Sequence, residues 1–400
     1  MASLNPHDIY MLDELFTDEE RLIHDTVLAW VKERYLLLIE DHYEAGTFPL
    51  EVVPELAAMG VFGATLPEQY GCANVSATAY GLINQALEYG DSGLRSLVSV
   101  QSGLVMHPIH AFGTDAQRER WLPKLARGEV IGCFGLTEPD HGSDPGGMVT
   151  RAMPAAGGYV LNGAKAWITN GSIADVAVVW AKVGPPLDDG AADAKTIRGF
   201  LVERGMTGFS AAEYKRKLSL RASVTSELFL KDVFVPEENM LSGVEGLRGP
   251  LSCLNQARYG IAWGAMGAAM FCFEAALRYS LERRQFGVPI ASFQLQQQKL
   301  SEMATAIVRG RLVCWRLGQL KQAGRATPAQ ISLAKRDNVY QARRVARMAR
   351  EMFGAMGIML ESHVMRHSAN LESVYTYEGT HDVHHLILGE ALTGIGAYGG

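Results

Sequence analysis

The sequence predicts an α+β chain built in three consecutive parts: helices, then strands, then helices. Three observations lead there. In the first third, apolar residues recur at helical spacing behind cap-like residues. The middle third shifts to short runs rich in β-branched and aromatic residues, separated by Gly, Asp and Pro. The last third returns to long helical segments with short connections, the pattern of an antiparallel bundle. We set the parts at residues 1–129, 130–243 and 244–400. A chain of 400 residues is too long for one ordinary core, which agrees with two or three packed units.

The helical first part starts with a helix from about Thr17 to Tyr43, whose opening TDEE places acids at the positive end of the helix dipole. PLEVVPELAAMGVFG reads as a second helix, with Pro at a start position and Gly past its end. SATAYGLINQALEYG and SGLRSLVSVQSGLVMH follow, split by GDSG. TDAQRERWLPKLARG is again capped by Thr-Asp and closed by Gly. In the middle part IGCFGLTE, GGYVLNGAKAWITNG, DVAVVWAKV, IRGFLVE and SELFLKDVFVP read as strands of an antiparallel barrel or sandwich, and PPLDDGAADAK as an exposed loop. The segment ARYGIAWGAMGAAMFCFEAALRYSLERRQFG carries closely spaced small residues that let helices approach tightly. Two further long helices follow it.

Composition excludes several classes. A net charge of −6 with no lysine/arginine block argues against a nucleic-acid binder. Apolar runs are broken by charge before the roughly 20 residues of a membrane span, so no stable membrane insertion is expected. The acidic start resembles neither a secretory signal nor a transit peptide, and a cytoplasmic location is expected. A processed mitochondrial matrix form would read the same. Five scattered cysteines without a CxxC pair suggest reduced thiols. No G-x-G-x-x-G follows a strand, and neither a P-loop nor HExxH occurs.

Some polar residues stand out. Glu378, in TYEGTH, sits at a loop-to-helix junction; it reads either as a general base on a loop or as an ordinary acid at a helix start. HDVHH places His381, His384 and His385 at i, i+3 and i+4, and we read it as a helix start with no metal site. The turn-rich GLTEPDHGSD from Gly135 to Asp144 offers amides and hydroxyls to a planar ring or a phosphate. Trp167, in AWITN, reads as core or as a stacking surface. Arg95 lies seven residues after Glu88 and four before Ser99; the intervening Gly90-Asp91-Ser92-Gly93 argues for a break, which leaves Arg95/Ser99 as the secure pairing. An arginine there is a surface ion pair or a fork for a ligand carboxylate.

Together CFGLTEPDHGSDP, AWITN, RRQFG, MFGAMG and YEGTHD occur in the order and spacing of acyl-CoA dehydrogenases. The resemblance spans essentially the whole chain. It is strongest to the glutaryl-CoA dehydrogenase branch, through DSGLRSLVSVQSGLVMHPI, GCFGLTEPDHGSDPGGM, KLSLRAS, CLNQARYGIAWGAMGA and TYEGTHDVHHLILGEALTG. It implies an N-terminal α domain, a middle β domain and a C-terminal four-helix bundle. It also implies FAD between the β domain and the bundle, and a homotetramer built as a dimer of dimers. Electron transfer flavoprotein is the implied electron acceptor.

The same resemblance assigns residues. Glu378 matches the catalytic base. Arg95, with Ser99 and Glu88, matches the partner of a distal substrate carboxylate; Ser143, Arg258, Tyr377 and Gly379 complete the substrate site. Phe134, Leu136, Thr137, Gly142, Ser143, Trp167, Ile168 and Thr169 match flavin contacts of the β domain. Arg283, Phe286 and Gln294 match residues that reach the FAD of a neighbouring subunit, and Glu351, Gly354, Ala355 and Thr380 match further FAD contacts. Two positions depart from the family. Ala355 adds a methyl where relatives often carry glycine, which puts FAD affinity in question, and Glu390 stands where relatives often carry arginine. The implied reaction is oxidation of glutaryl-CoA and loss of CO2 to give crotonyl-CoA, as in lysine and tryptophan degradation. The alternative is dehydrogenation of another short-chain or dicarboxylic acyl-CoA without decarboxylation.

Overall fold

The computed structural model describes residues 5–397; residues 1–4 and 398–400, at the ends of the first and last expected parts, lie outside the described residues. The first part holds α1 (Asp18–Glu33), α2 (Ile39–Ala45), α3 (Val53–Ala58), α4 (Ala77–Gly90), α5 (Ser92–Ser99), α6 (His107–Phe112) and α7 (Asp115–Ala126). Thr17 and Glu20 close a capping box at the start of α1, each side chain bonding the other's backbone amide. Thr114 and Gln117 do the same for α7.

The single helix expected from Thr17 to Tyr43 is broken. It stops at Glu33, passes through a 3₁₀ turn at Tyr35–Leu37 and restarts at Ile39. Five consecutive apolar residues, Tyr35 to Ile39, leave a regular helix no polar face there. The tighter turn sends Tyr35 and Ile39 into the core and leaves Leu37 exposed. After α5 the chain continues as a buried π-helical stretch, Val100–Met106. Pro108, at the start of α6, has no amide to give the ladder and crowds the carbonyl four residues back, which favours the wider turn.

The middle part is one sheet. Its strands are β1 (Gly132–Gly135), β2 (Arg151–Ala155), β3 (Gly158–Thr169), β4 (Val176–Val183), β5 (Ile197–Glu203), β6 (Phe209–Glu213), β7 (Thr225–Pro236) and β8 (Met240–Leu241). They run β6-β7-β3-β2-β4-β5-β8, with β1 added beside β4. Pairing is antiparallel except that β1 and β2 both lie parallel to β4. The long connections that separate these strands from β4 allow that crossover. The sequence pattern passes over β2 and β6, which are short and half-exposed. The expected loop PPLDDGAADAK ends instead in a short helix, α8 (Gly190–Lys195). Asp193 in it is buried against Lys182 at 2.6 Å and Arg151 at 2.9 Å, which draws the segment onto the sheet.

The last part contains α9 (Arg248–Glu282), α10 (Gln294–Gln322), α11 (Pro328–Met352), α12 (Val364–Thr376) and α13 (His381–Thr393). α9 and α11 each pack against the other three of α9–α12, and α13 lies along α11. α9 also packs closely on α4. A methyl group on Gly264 would overlap Glu88 Oε2, and one on Gly267 would overlap the Gln85 carbonyl. Charges interrupt the apolar runs of the sequence, yet by length and composition α9 is long and apolar enough to cross a membrane. Its most apolar stretch is 83% buried inside the fold, so its hydrophobicity serves the contacts with α4, α10 and α11.

Candidate active site

α12 ends at Thr376, and Thr380 caps α13 by accepting from the Val383 amide at 3.2 Å. Between them Glu378 and Gly379 both have left-handed backbones, with φ of 55° and 89°. For glutamate that conformation is unfavourable by itself, so tertiary contacts must hold it. They do. Arg258 of α9 donates Nε–H to the Glu378 carbonyl at 2.7 Å. Lys335 of α11 donates Nζ–H to the carbonyls of Tyr377 and Gly379, each at 2.9 Å. His384 of α13 is fully buried against Gly379. None of the described residues accepts from the Glu378 amide. The Glu378 carboxyl oxygen Oε2 is buried without a hydrogen-bond partner. Burial pushes the carboxyl up to about 7, against the pull of Arg258, Lys335 and Arg95.

A second group of charges sits against this loop. Arg95 of α5 donates Nε–H to Glu88 Oε2 of α4 at 2.7 Å and an Nη2 proton to the Tyr377 hydroxyl. Ser92 donates to the other oxygen of Glu88 at 2.8 Å. Arg95 is 2% exposed and Glu88 is fully buried. Burial opposes the guanidinium charge, but Glu88 and Tyr377 outweigh it and hold Arg95 above the ordinary arginine range. Burial and Glu88 push the Tyr377 hydroxyl up to about 12, with Arg95 opposing.

The chain does break between Glu88 and Arg95, as expected, yet the break brings them together. Asp91 is extended, with φ of −165°, and its carboxylate caps α5 through the Gly93 amide at 2.6 Å. The same carboxylate takes bonds from Arg366 and, at 2.7 Å, from Asn370, both on α12. Arg366 also bonds the Gly90 carbonyl at 2.8 Å. The corner is thereby fixed to α12 with Glu88 facing Arg95. Arg95 and Ser99 do lie one turn apart in α5, as expected; Ser99 is buried there, and the charged bonds of Arg95 go to Glu88 and Tyr377.

The segment after β1 is held from behind. Lys165 of β3 bonds Glu138 at 2.8 Å and the Leu136 carbonyl at 3.2 Å. Glu138 also accepts from the amides of Val149 and Thr150 at 2.6 and 3.0 Å. Both charges are buried, Lys165 completely. Burial pushes the Lys165 ammonium down to about 8 despite Glu138. Phe134 and Leu136 are buried, Thr137 is half-buried, and Gly142 and Ser143 are exposed on the loop. Trp167 is not core: it is 63% exposed, has φ of 62°, and stacks on Tyr214 with ring centroids 4.6 Å apart. It lies where the β3–β7 register shifts between Lys165 and Ile168, which turns it outward while Ile168 remains buried. Thr169 closes β3, half-buried opposite Thr225.

The remaining expected residues stay outside the Glu378 cluster. Arg283, Phe286 and Gln294 are exposed around the short hairpin between α9 and α10, Phe286 to 94%. Glu351 is tied to Lys299 at 3.1 Å and Arg347 at 3.3 Å. Gly354 is left-handed, with open space beside it. Ala355 and Glu390 are exposed. Among the described residues no group of three or more His, Cys, Asp or Glu could hold a metal, and HDVHH forms the first turns of α13. Sequence reasoning missed Lys335, Lys165 with Glu138, and Asp91 with Arg366. The only local sign was a charge placed inside a helical or strand pattern at a position whose neighbours are apolar.

Comparison with known proteins follows the same three parts. Residues 17–129, 133–233 and 245–393 match the family models described as the N-terminal, middle and C-terminal domains of acyl-CoA dehydrogenase. A glutaryl-CoA dehydrogenase structure from Mycobacterium smegmatis is 51% identical, with a TM-score of 0.95 over 99% of this chain and 100% of that one. A second glutaryl-CoA dehydrogenase structure from the same organism, in complex with FADH2, is 46% identical, with a TM-score of 0.95 and the same coverage. The short-chain-specific acyl-CoA dehydrogenase of Clostridium acetobutylicum is 33% identical over 94% of this chain and 98% of its own length.

Proposed function

Because the chain belongs to the FAD-dependent acyl-CoA dehydrogenase family, we propose that it oxidises glutaryl-CoA and decarboxylates the product to crotonyl-CoA and CO2. The observation that carries this reading is the buried Glu88–Arg95–Tyr377 chain set against the loop of Glu378. An arginine kept fully charged in a dry site is suited to a second, distal carboxylate on the acyl group.

Glu378 acts as the base. Its carboxyl, raised to about 7, is ionised in a large share of molecules at neutral pH and is basic enough to take the weakly acidic Cα proton of a thioester. The unengaged Glu378 amide is suited to donate to the thioester oxygen as negative charge develops there. FAD, when bound, supplies the acceptor for the β-hydride. The residues present fit that group. Trp167 offers an exposed ring, Thr137 a half-exposed hydroxyl, and Gly142 and Ser143 an open loop, with Ile168 and Thr169 adjoining Trp167 in the chain and Thr380 following the turn of Glu378. Arg283, Phe286, Gln294, Glu351, Gly354 and Ala355 would complete the site across subunits of a homotetramer.

Oxidation leaves glutaconyl-CoA, with the proton on Glu378. Loss of CO2 then leaves its bonding electrons in a dienolate. Glu378 returns a proton to the terminal carbon and crotonyl-CoA forms. Tyr377 and Arg95 hold the departing carboxylate, and electron transfer flavoprotein takes the electrons.

The test is anaerobic mixing of the FAD-loaded protein with glutaryl-CoA and, separately, butyryl-CoA, following flavin bleaching and the mass of the acyl product. Bleaching by glutaryl-CoA with crotonyl-CoA formed is expected. One observation favours a second reading: Glu88 already matches the charge of Arg95, so a neutral short acyl tail would meet a neutral couple. Bleaching by butyryl-CoA alone would establish that reading and overturn the first. Glutaconyl-CoA as the final product would keep the oxidation and remove the decarboxylation.

A further inference from the structure

Lys335 is 1% exposed and forms no ion pair among the described residues. Its ammonium bonds only backbone carbonyls. A charge placed that deep without a carboxylate is costly to fold, so its partners are informative. Those partners are the carbonyls immediately before and after Glu378, at 2.9 Å each. Arg258 takes the carbonyl between them. Two cations, from α9 and α11, thus hold three consecutive carbonyls of a turn whose backbone is left-handed at Glu378 and Gly379. From α13, His384 lies against the same turn, with its imidazole beside the Glu378 and Gly379 backbone.

We propose that Lys335 is a positioning residue for the reaction: through the two flanking carbonyls it holds the loop of Glu378 in its left-handed turn, and its charge favours the ionised carboxylate. The inference rests on the reading of Glu378 as the base.

The groups that face Glu378 can be named element by element. They are Arg258 and Cys253 on α9, Lys335 on α11, Arg95 on α5 and His384 on α13. Tyr377 is its chain neighbour, and Glu88 acts behind Arg95. The thiol and the imidazole are held neutral by burial, so the cations Arg258, Lys335 and Arg95 set the field at the carboxylate. Of these, Arg95 is already matched by Glu88. Among the described residues Lys335 has no carboxylate in hydrogen-bond contact, and its bonds go to two backbone carbonyls. Burial pushes its ammonium down to about 7, Arg258 and Arg95 adding to the effect and Glu378 opposing it. Loss of that proton would leave the two carbonyl bonds possible and remove only the charge, so bonding and charge are separable by substitution.

The experiment compares Lys335→Met and Lys335→Gln with the parent, all loaded with FAD. Gln keeps two N–H donors without charge; Met keeps neither. Two readouts are taken across pH. One is kcat and KM for glutaryl-CoA. The other is the infrared C=O band of the protonated Glu378 carboxyl, assigned by its loss in Glu378→Gln and independent of turnover. For Lys335→Gln the acid limb of kcat and the infrared titration should both move up by about one pH unit, with KM within about twofold. Lys335→Met should add a loss of about tenfold or more in kcat at every pH. If Lys335→Met fails to fold, Lys335→Gln carries the test, and Lys335→Arg should return the titration to that of the parent. An unmoved infrared titration together with an unmoved acid limb would overturn the proposal, as would a change confined to KM. Turnover surviving in Glu378→Gln would remove Glu378 as the base, and the proposal with it. An inactive Glu378→Gln beside a silent Lys335→Gln would remove only the role of Lys335.

Discussion

Replacing Glu378 by Gln should stabilise the protein at alkaline pH while abolishing the proposed oxidation. The carboxyl lies at about 7 in the fold against an ordinary value of 4.5, because burial disfavours its charge. The raised value means that the folded state holds the proton more tightly than the unfolded chain does. The resulting stability is fully present below pH 4.5, declines as pH rises, and is lost above about 7. The difference corresponds to about 3 kcal/mol between the two ends. Gln has nearly the same shape and never ionises, so it escapes that loss. Urea unfolding followed by circular dichroism, at fixed saturating FAD and fixed protein concentration, measures it. The variant should match the parent near pH 4.5 and exceed it by about 2–3 kcal/mol at pH 8. Parallel stability curves for the two proteins across that range would refute the argument. Glu378 would then be solvated or paired, and its basicity at neutral pH would need another cause.

Two further perturbations separate parts of the site. Arg95→Met leaves Glu88 as an uncompensated buried charge and should cost about 3–5 kcal/mol of stability. In protein that still folds, turnover of glutaryl-CoA should fall by at least about a hundredfold while bleaching by butyryl-CoA persists; equal losses on both substrates would remove the carboxylate role. Lys165→Met leaves Glu138 buried against two amides without its cation and should loosen the Leu136–Thr150 segment. Its expected signature is a drop in FAD retained on gel filtration, by about tenfold in affinity, with Glu138→Gln in the same background restoring most of it.

The legible parts of this molecule are those in which a residue's partner lies a few positions away. Thr17 with Glu20 and Thr114 with Gln117 are such local pairs, and the cap-like residues at both helix starts point to them directly. The first helix already shows the limit: periodicity favours one helix through Tyr43, yet five apolar residues in succession make the choice depend on what surrounds Tyr35 and Ile39. The site lies wholly beyond that limit. Glu88, Arg95, Arg258, Lys335 and Glu378 come from α4, α5, α9, α11 and the loop before α13. From spacing alone, Lys335 in the run AKRD is one more helical surface cation. What identifies it is that α11 is surrounded by α9, α10, α12 and α13, leaving that face no water. The break at Asp91 makes the same point with opposite sign. Local reasoning foresaw the interruption and inferred separation. Asp91 is tied to Arg366 and Asn370, 275 and 279 residues away, and that anchorage turns the interruption into the corner where Glu88 meets Arg95. Family resemblance named both residues because it carries the outcome of such long-range contacts. It does not carry their cause, and the cause explains why Gly264 must lack a side chain: a methyl there would occupy the space of Glu88 Oε2 and force apart the pair on which the choice of acyl group is argued to depend.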